Sequence, residues 1–277
     1  MPTPRQALLR VEFDGGGFHG FQRQDGARTV QGAIESAWLE WLGETIGARS
    51  SSRTDAGVHG RLMPVALRTG ADLPTKALVH GLNRVLDEDL GVVQGRWASD
   101  AFDVRYDAFG KRYIYRLWVD RVRSPRRRRD HWLVKRPQLD VAAMQRAAGH
   151  MLGEHDFAGF RSAHCTAATT RRLLSRVRVS ASGPQLTVTI EGNAFLQNMV
   201  RILVGTLVQV GHGAIDADEL PAVIASLDRT RAGPTAPAHG LTLDEVFFGP
   251  DGERWGLDHD RLNERLAERA RLWTATH

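Results

Sequence analysis

Arg53-Thr54-Asp55-Ala56-Gly57-Val58-His59 packs a cation, a hydroxyl, a carboxylate and an imidazole into one short stretch. The chemistry open to such a set is that of a positioned carboxylate working beside a cation. Three serines, Ser50 to Ser52, precede it, and an apolar run of strand type, Leu62 to Arg68, follows. Asp55 therefore falls on a loop delivered by a sheet, where catalytic and binding residues concentrate. Taken alone, Asp-Ala-Gly reads as a polar Asx-type turn. The remainder of the chain reverses that reading.

A second candidate is Arg201. It interrupts the apolar face Phe195, Met199, Ile202 and Leu203 of a helix expected from Ala194 to about Gln209. A buried cation needs a partner. Either a local salt bridge serves, or Arg201 pairs with Asp55, holding it ionised and lowering its pKa. Tyr113 and Tyr115 share one face of the strand Lys111 to Trp118, as sheet packing or as a stacking platform for an extruded base. A basic loop follows, with eight Arg or Lys and one acid between Arg121 and Arg136. Its run Arg126, Arg127, Arg128 and Arg129 is either a solvated loop or a phosphate contact.

Composition narrows the partner. The net charge is +5, and 34 of the 37 basic residues are arginine, since lysine occurs only at Lys76, Lys111 and Lys135. The pI near 9.9 points to a polyanion, and arginine suits phosphate and base contacts. Cys165 is the one cysteine, so no internal disulfide or Cys-x-x-Cys zinc site is expected. Asp14-Gly15-Gly16-Gly17 lacks the Lys-Ser/Thr of a P-loop and reads as a flexible turn beside RNA-facing residues. No Gly-x-Ser-x-Gly elbow and no helical His-x-x-x-His pair occurs, so neither metal nor cofactor is expected. The longest apolar stretch, Ile202 to Val208, is too short for a bilayer. Met1 to Arg5 lacks the core of a signal peptide. A reduced, cytoplasmic protein is expected, with no membrane association.

The elements that must position these residues fall into two groups. Strand 7–13, a helix capped by Thr29 with stripe Val30, Ile34, Trp38, Trp41 and Leu42, strand 62–68, helix 75–86 and strand 91–97 make the first. Strand 111–118, helix 140–151, strands 173–180 and 186–191, the Arg201 helix and strand 241–248 make the second. A boundary falls at 107–110. The similar order suggests a duplicated α+β unit, with helices on one face of a mostly antiparallel sheet. Residues 258–273 read as a terminal amphipathic helix.

Along nearly its whole length the chain resembles the TruA class of tRNA pseudouridine synthases. The match rests on Phe13-Asp14-Gly15 with Gly20-Phe21-Gln22-Arg23-Gln24 and Thr29-Val30-Gln31, and on Arg53 to His59. It continues through Lys111-Arg112-Tyr113-Ile114-Tyr115, Phe195-Leu196 with Met199-Val200-Arg201 and Val204-Gly205, and Pro234 to Leu241. The resemblance implies two ferredoxin-like (RRM-like) lobes, residues 1–107 and 108–250, sharing one extended sheet with a basic cleft between them. Residues 251–277 form a charged tail.

It further implies a homodimer that grips tRNA and isomerises uridine to pseudouridine at positions 38, 39 and 40 of the anticodon stem-loop. Asp55 maps onto the catalytic aspartate and Arg201 onto its arginine partner. Tyr113 maps onto the stacking tyrosine and Arg53 onto the flipping arginine. Val58 and His59 join the substrate site. Arg23, Arg112 and Arg126 to Arg129 are expected on the RNA backbone. The family usually has glycine before the Arg-Thr-Asp segment, where this chain has Ser51 and Ser52. A pseudouridine synthase with another RNA target and a non-catalytic tRNA-binding protein are the alternatives. A phosphotransferase using Asp14 or Asp55 would need a metal site.

Overall fold

In a computed structural model of the chain, residues 4–135 and 138–248 are described. The expected tail, 251–277, lies outside them. Alternating apolar residues give β1 (Arg5–Phe13). Thr29 then caps α1 (Val30–Leu42), its hydroxyl accepting from the Gly32 N–H, and Gly43 ends that helix in the left-handed conformation. Val30, Ile34 and Trp38 of the expected stripe are fully buried. A two-residue strand, β2 (Arg49–Ser50), precedes β3 (His59–Thr69). Next come α2 (Thr75–His80) and β4 (Leu90–Ala98). The second helix expected to reach residue 86 stops at His80 and passes into a 3-10 turn over Leu82–Arg84.

The second half starts with β5 (Ala108–Val119). The basic loop after it is partly ordered. It holds a 3-10 turn at Pro125–Arg127 and a short strand, β6 (Trp132–Val134), which pairs with β5. Asp140 caps α3 (Val141–His150) by accepting from the Ala143 N–H. Strands β7 (Gly153–Asp156), β8 (Arg171–Ser182) and β9 (Gln185–Gly192) lead to α4 (Met199–Gly211). A short helix, α5 (Leu220–Ala225), and β10 (Leu241–Phe248) complete the described chain.

All ten strands belong to one mixed sheet, so the α+β class expected from the sequence holds. Its order is β4-β1-β3-β10-β5-β9-β8-β7, with β2 beside β3 and β6 beside β5. The two sides are joined by β10, which runs parallel to β3 (Thr242 opposite His59) and antiparallel to β5 (Leu243 opposite Tyr113). Strand β10 therefore closes the middle of the sheet. Buried Val, Leu, Ile and Phe side chains of β1, β3, β5, β9 and β10 pack with α1, α3 and α4 into one continuous core. Leu241, Leu243, Val246 and Phe248 of β10 are all buried within it.

Candidate active site

The Asp55 loop sits at the junction of β3 with the residues that follow β1. It is fastened by backbone. Phe21 N–H donates to the Thr54 carbonyl at 3.2 Å, Gly57 N–H to Phe18 O at 3.2 Å, and Val58 N–H to Asp55 O at 3.1 Å. Gly15 lies so close that a Cβ there would collide with the Val58 carbonyl. Gly20, at φ +88°, passes directly over the Thr54 carbonyl. Only glycine permits this approach. Of the expected glycine turn, Gly15 is packed against the Asp55 loop, while Gly16 and Gly17 are exposed.

The loop projects Asp55 into a cleft of about 900 Å³. One wall comes from Ser50 to Asp55 and Val58, and the opposite wall from Phe195 to Arg201, with Lys111 and Tyr113 of β5 in the cleft lining between them. Arg201 Nη1 stands 3.6 Å from Asp55 Oδ2, an ion pair without a hydrogen bond. Arg201 is aimed by two other contacts. Its Nε donates to Ala236 O at 2.7 Å and its Nη1 to Asn198 Oδ1 at 2.9 Å. Asn198 is the N-cap of α4 in the left-handed conformation (φ 62°), which asparagine tolerates better than most residues. The helix expected from Ala194 therefore begins five residues later. Asn193 to Asn198 remain a loop, which frees Phe195 and Leu196 to wall the cleft.

Burial pushes the Asp55 carboxyl above the ordinary aspartate range, and the Arg201 guanidinium pulls it back only in part. Arg201 lowers the Asp55 pKa as expected, and burial outweighs it. One longer ion pair does not offset the desolvation of a carboxylate in an enclosed loop. Tyr113 is buried, and its phenol is pushed up to about 12, chiefly by burial. It remains protonated at neutral pH, so it serves as a surface and a hydrogen-bonding group, not as a base. Its hydroxyl meets Ser52 Oγ at 3.2 Å, and its ring stands edge-on to Phe195 at 5.1 Å. Ser52, where the resembling family usually has glycine, thus has a definite task.

Residues 147–249 match the family described as tRNA pseudouridine synthase. The tRNA pseudouridine synthase A of Geotalea uraniireducens is 43% identical over 244 residues, covering 88% of this chain and 100% of its own length. The chain belongs to the tRNA pseudouridine synthase family. That of Myxococcus xanthus is 44% identical over 241 residues, covering 87% of this chain and 91% of its own.

For this synthase, the expected site residues divide into those at the cleft and those elsewhere. Asp55, Arg201, Tyr113, Arg53 and Val58 line it, Arg53 with its side chain exposed and Val58 buried. His59 is not among the lining residues. Its Nδ1 accepts from the Gly15 N–H at 3.0 Å, and Nε2 lies within hydrogen-bond reach of the Arg129 and His239 carbonyls. It ties the glycine turn to two distant loops. Arg112, expected on the RNA backbone, is engaged elsewhere in the fold. It faces away from Tyr113 and pairs with Glu191 at 2.8 Å, Glu245 at 3.3 Å and Asp244 at 3.5 Å, all three acids buried.

The other expected backbone arginines are more open. Arg23 is exposed and bonded to Glu35 at 2.7 Å. Arg127 lies over the Trp118 ring at 4.4 Å, Arg128 donates to Pro125 O, and Arg129 is 3.7 Å from Asp14. Arg126 is exposed. Sequence reasoning missed Ser52, Phe195 and Lys111 at the cleft. Lys111 carried a usable signal, because it shares strand parity with Tyr113. Among the described residues no cluster of His, Cys, Asp or Glu is arranged to hold a metal, and no helix is long and apolar enough to cross a membrane.

Proposed function

We propose that this enzyme isomerises uridine to pseudouridine in the anticodon stem-loop of tRNA, with Asp55 as the catalytic carboxylate. The observation that carries the reading is the pairing of Asp55 with Arg201 inside a cleft whose lining includes Tyr113. The reaction breaks the N1–C1′ bond of uridine, turns the base and joins C5 to C1′. Reactant and product are isomers, so the work needed is a placed carboxylate and shelter from water. The target base must first leave its stack. Arg53, exposed at the rim, braces the vacated space. Tyr113 offers a π-face to the extruded uracil, and Val58 makes that part of the cleft apolar.

The ionised Asp55 attacks the ring or C1′, or removes a proton from C2′. Arg201 supports the anion through each of these. Arg126 to Arg129 contact the RNA backbone. A homodimer gripping one tRNA belongs to the same reading. So do two ferredoxin-like lobes divided near residue 107, which the meeting of two strand groups at β10 supports.

The test is tritium release from tRNA carrying 5-tritiated uridine, with wild type and Asp55→Ala side by side. Release with wild type alone supports the reading. Asp55→Ala with near-normal release defeats it, as does wild type that binds tRNA and releases nothing. Mapping the modified positions separates the anticodon stem-loop from other targets.

A further inference from the structure

Lys111 places an ammonium in the wall of the cleft, two residues before Tyr113 on the same face of β5. That spacing is about 7 Å along a strand, the reach of one nucleotide from base to phosphate. Lys111 Nζ donates to the Ser51 carbonyl at 2.8 Å. An ammonium carries three donors. Among the described residues no carboxylate lies within ion-pair distance of it. The charged neighbour that acts on it is a second cation, Arg105, also in the cleft lining. Burial and this repulsion lower the Lys111 ammonium to about 8. Beside it, Ser51 Oγ is buried without a hydrogen-bond partner among the described residues.

A cation shielded from water and lacking a counter-charge is costly. Fastening the Ser51 carbonyl does not require a charge, because a neutral amide donor would do it with less desolvation. The charge is accounted for if an anion arrives with the substrate. We propose that Lys111, with Arg105 and Ser51, forms a subsite for one backbone phosphodiester of the bound RNA, adjacent to the base held at Asp55 and Tyr113. The inference rests on the reading that RNA occupies this cleft.

The experiment uses the full chain, a tRNA transcript, and wild type, Lys111→Gln and Lys111→Arg. Binding is measured against salt, and tritium release is followed in parallel. Lys111→Gln keeps a neutral donor for Ser51. It is expected to weaken tRNA binding about tenfold and to lower the slope of log K against log salt by about 0.7–0.9, the loss of one phosphate contact. Lys111→Arg should restore most of both. In wild type, a methylphosphonate at one linkage beside the target uridine should reproduce the loss, and should add nothing in Lys111→Gln.

Wild-type affinity and slope in Lys111→Gln overturn the subsite, as does a methylphosphonate penalty that simply adds to that of the variant. If Lys111→Gln fails to fold, the methylphosphonate series on wild type and Lys111→Arg still decides, because a series with no sensitive linkage overturns the subsite. Wild type that releases no tritium from any tRNA defeats the functional reading itself. Normal turnover with an indifferent Lys111 defeats the subsite alone.

Discussion

Two arginine–carboxylate groups lie on either side of β5 and are built in opposite ways. Tyr113 and Arg112 are neighbours on β5 and so point to opposite faces. On the face of Arg112, Glu191, Asp244 and Glu245 are all nearly inaccessible, and Arg10, Arg61, Arg112 and Arg176 surround them with pairs as short as 2.5 Å. On the face of Tyr113, Asp55 has one arginine at 3.6 Å and is 30% exposed. Each carboxylate of the first group pairs with two arginines at the centre of the sheet, although burial still holds Glu245 above the ordinary glutamate range. The second is left with unused capacity beside open space, which is what a reactive carboxylate requires. Charge alone does not mark an active site; incomplete compensation next to a cavity does.

The comparison breaks most sharply at Asp55. Asp55→Ala should abolish tritium release while tRNA binding stays near wild type, and retained turnover would remove the distinction between the two groups. Arg112→Met comes next, since it strands buried carboxylates. We expect it to cost about 3–5 kcal/mol of stability in urea unfolding, with the pH profile of the surviving enzyme unchanged. A shifted profile would mean that the two faces communicate.

Arg201→Met should act the other way round, lowering kcat roughly a hundredfold with only a small loss of stability. Its sign in pH is definite. Asp55 already sits above the ordinary aspartate range, so activity that needs the anion falls early on the acid side. Losing Arg201 removes the influence that lowers that pKa, so the acid limb of kcat/KM should move to higher pH. An unmoved limb, or a collapse in Tm, would assign Arg201 to the fold instead. The smallest effect belongs to Tyr113→Phe, which loses the contact with Ser52, worth about 1 kcal/mol, and keeps the ring. Tyr113→Leu should cost a further ~1–3 kcal/mol in RNA binding. Equal, mild results from the pair would take Tyr113 out of the site.

Much of this was legible beforehand, and the failures have physical causes. The strand 241–248 and the cap at Thr29 follow from local patterning and stand where expected. The start of α4 was misjudged because Ala194 to Leu196 continue the apolar period of the helix, while the break is made by one left-handed Asn198 and by a cleft that draws Phe195 away. Strand β6 is three residues long and follows a run of arginines, too short for alternation to register. Arg112 and Tyr113 are adjacent on β5 and so face opposite ways, a parity that charge alone does not reveal. His59 was assigned with its motif, but its two ring nitrogens were already committed to groups 44, 70 and 180 residues away in sequence. The pKa of Asp55 turned on burial, and no pairwise pattern in a sequence reports how enclosed a loop will be.

The position of β10 has a consequence in time. The strand that joins β3 to β5 is made after both of them and after α4, so a ribosome must release residues 241–248 before the two sides of the sheet can meet. Until then β3 and β5 each present an open edge, and the walls carrying Asp55 and Arg201 have no fixed distance between them. Synthesis in chain order therefore delivers both walls of the cleft before the strand that sets the distance between them.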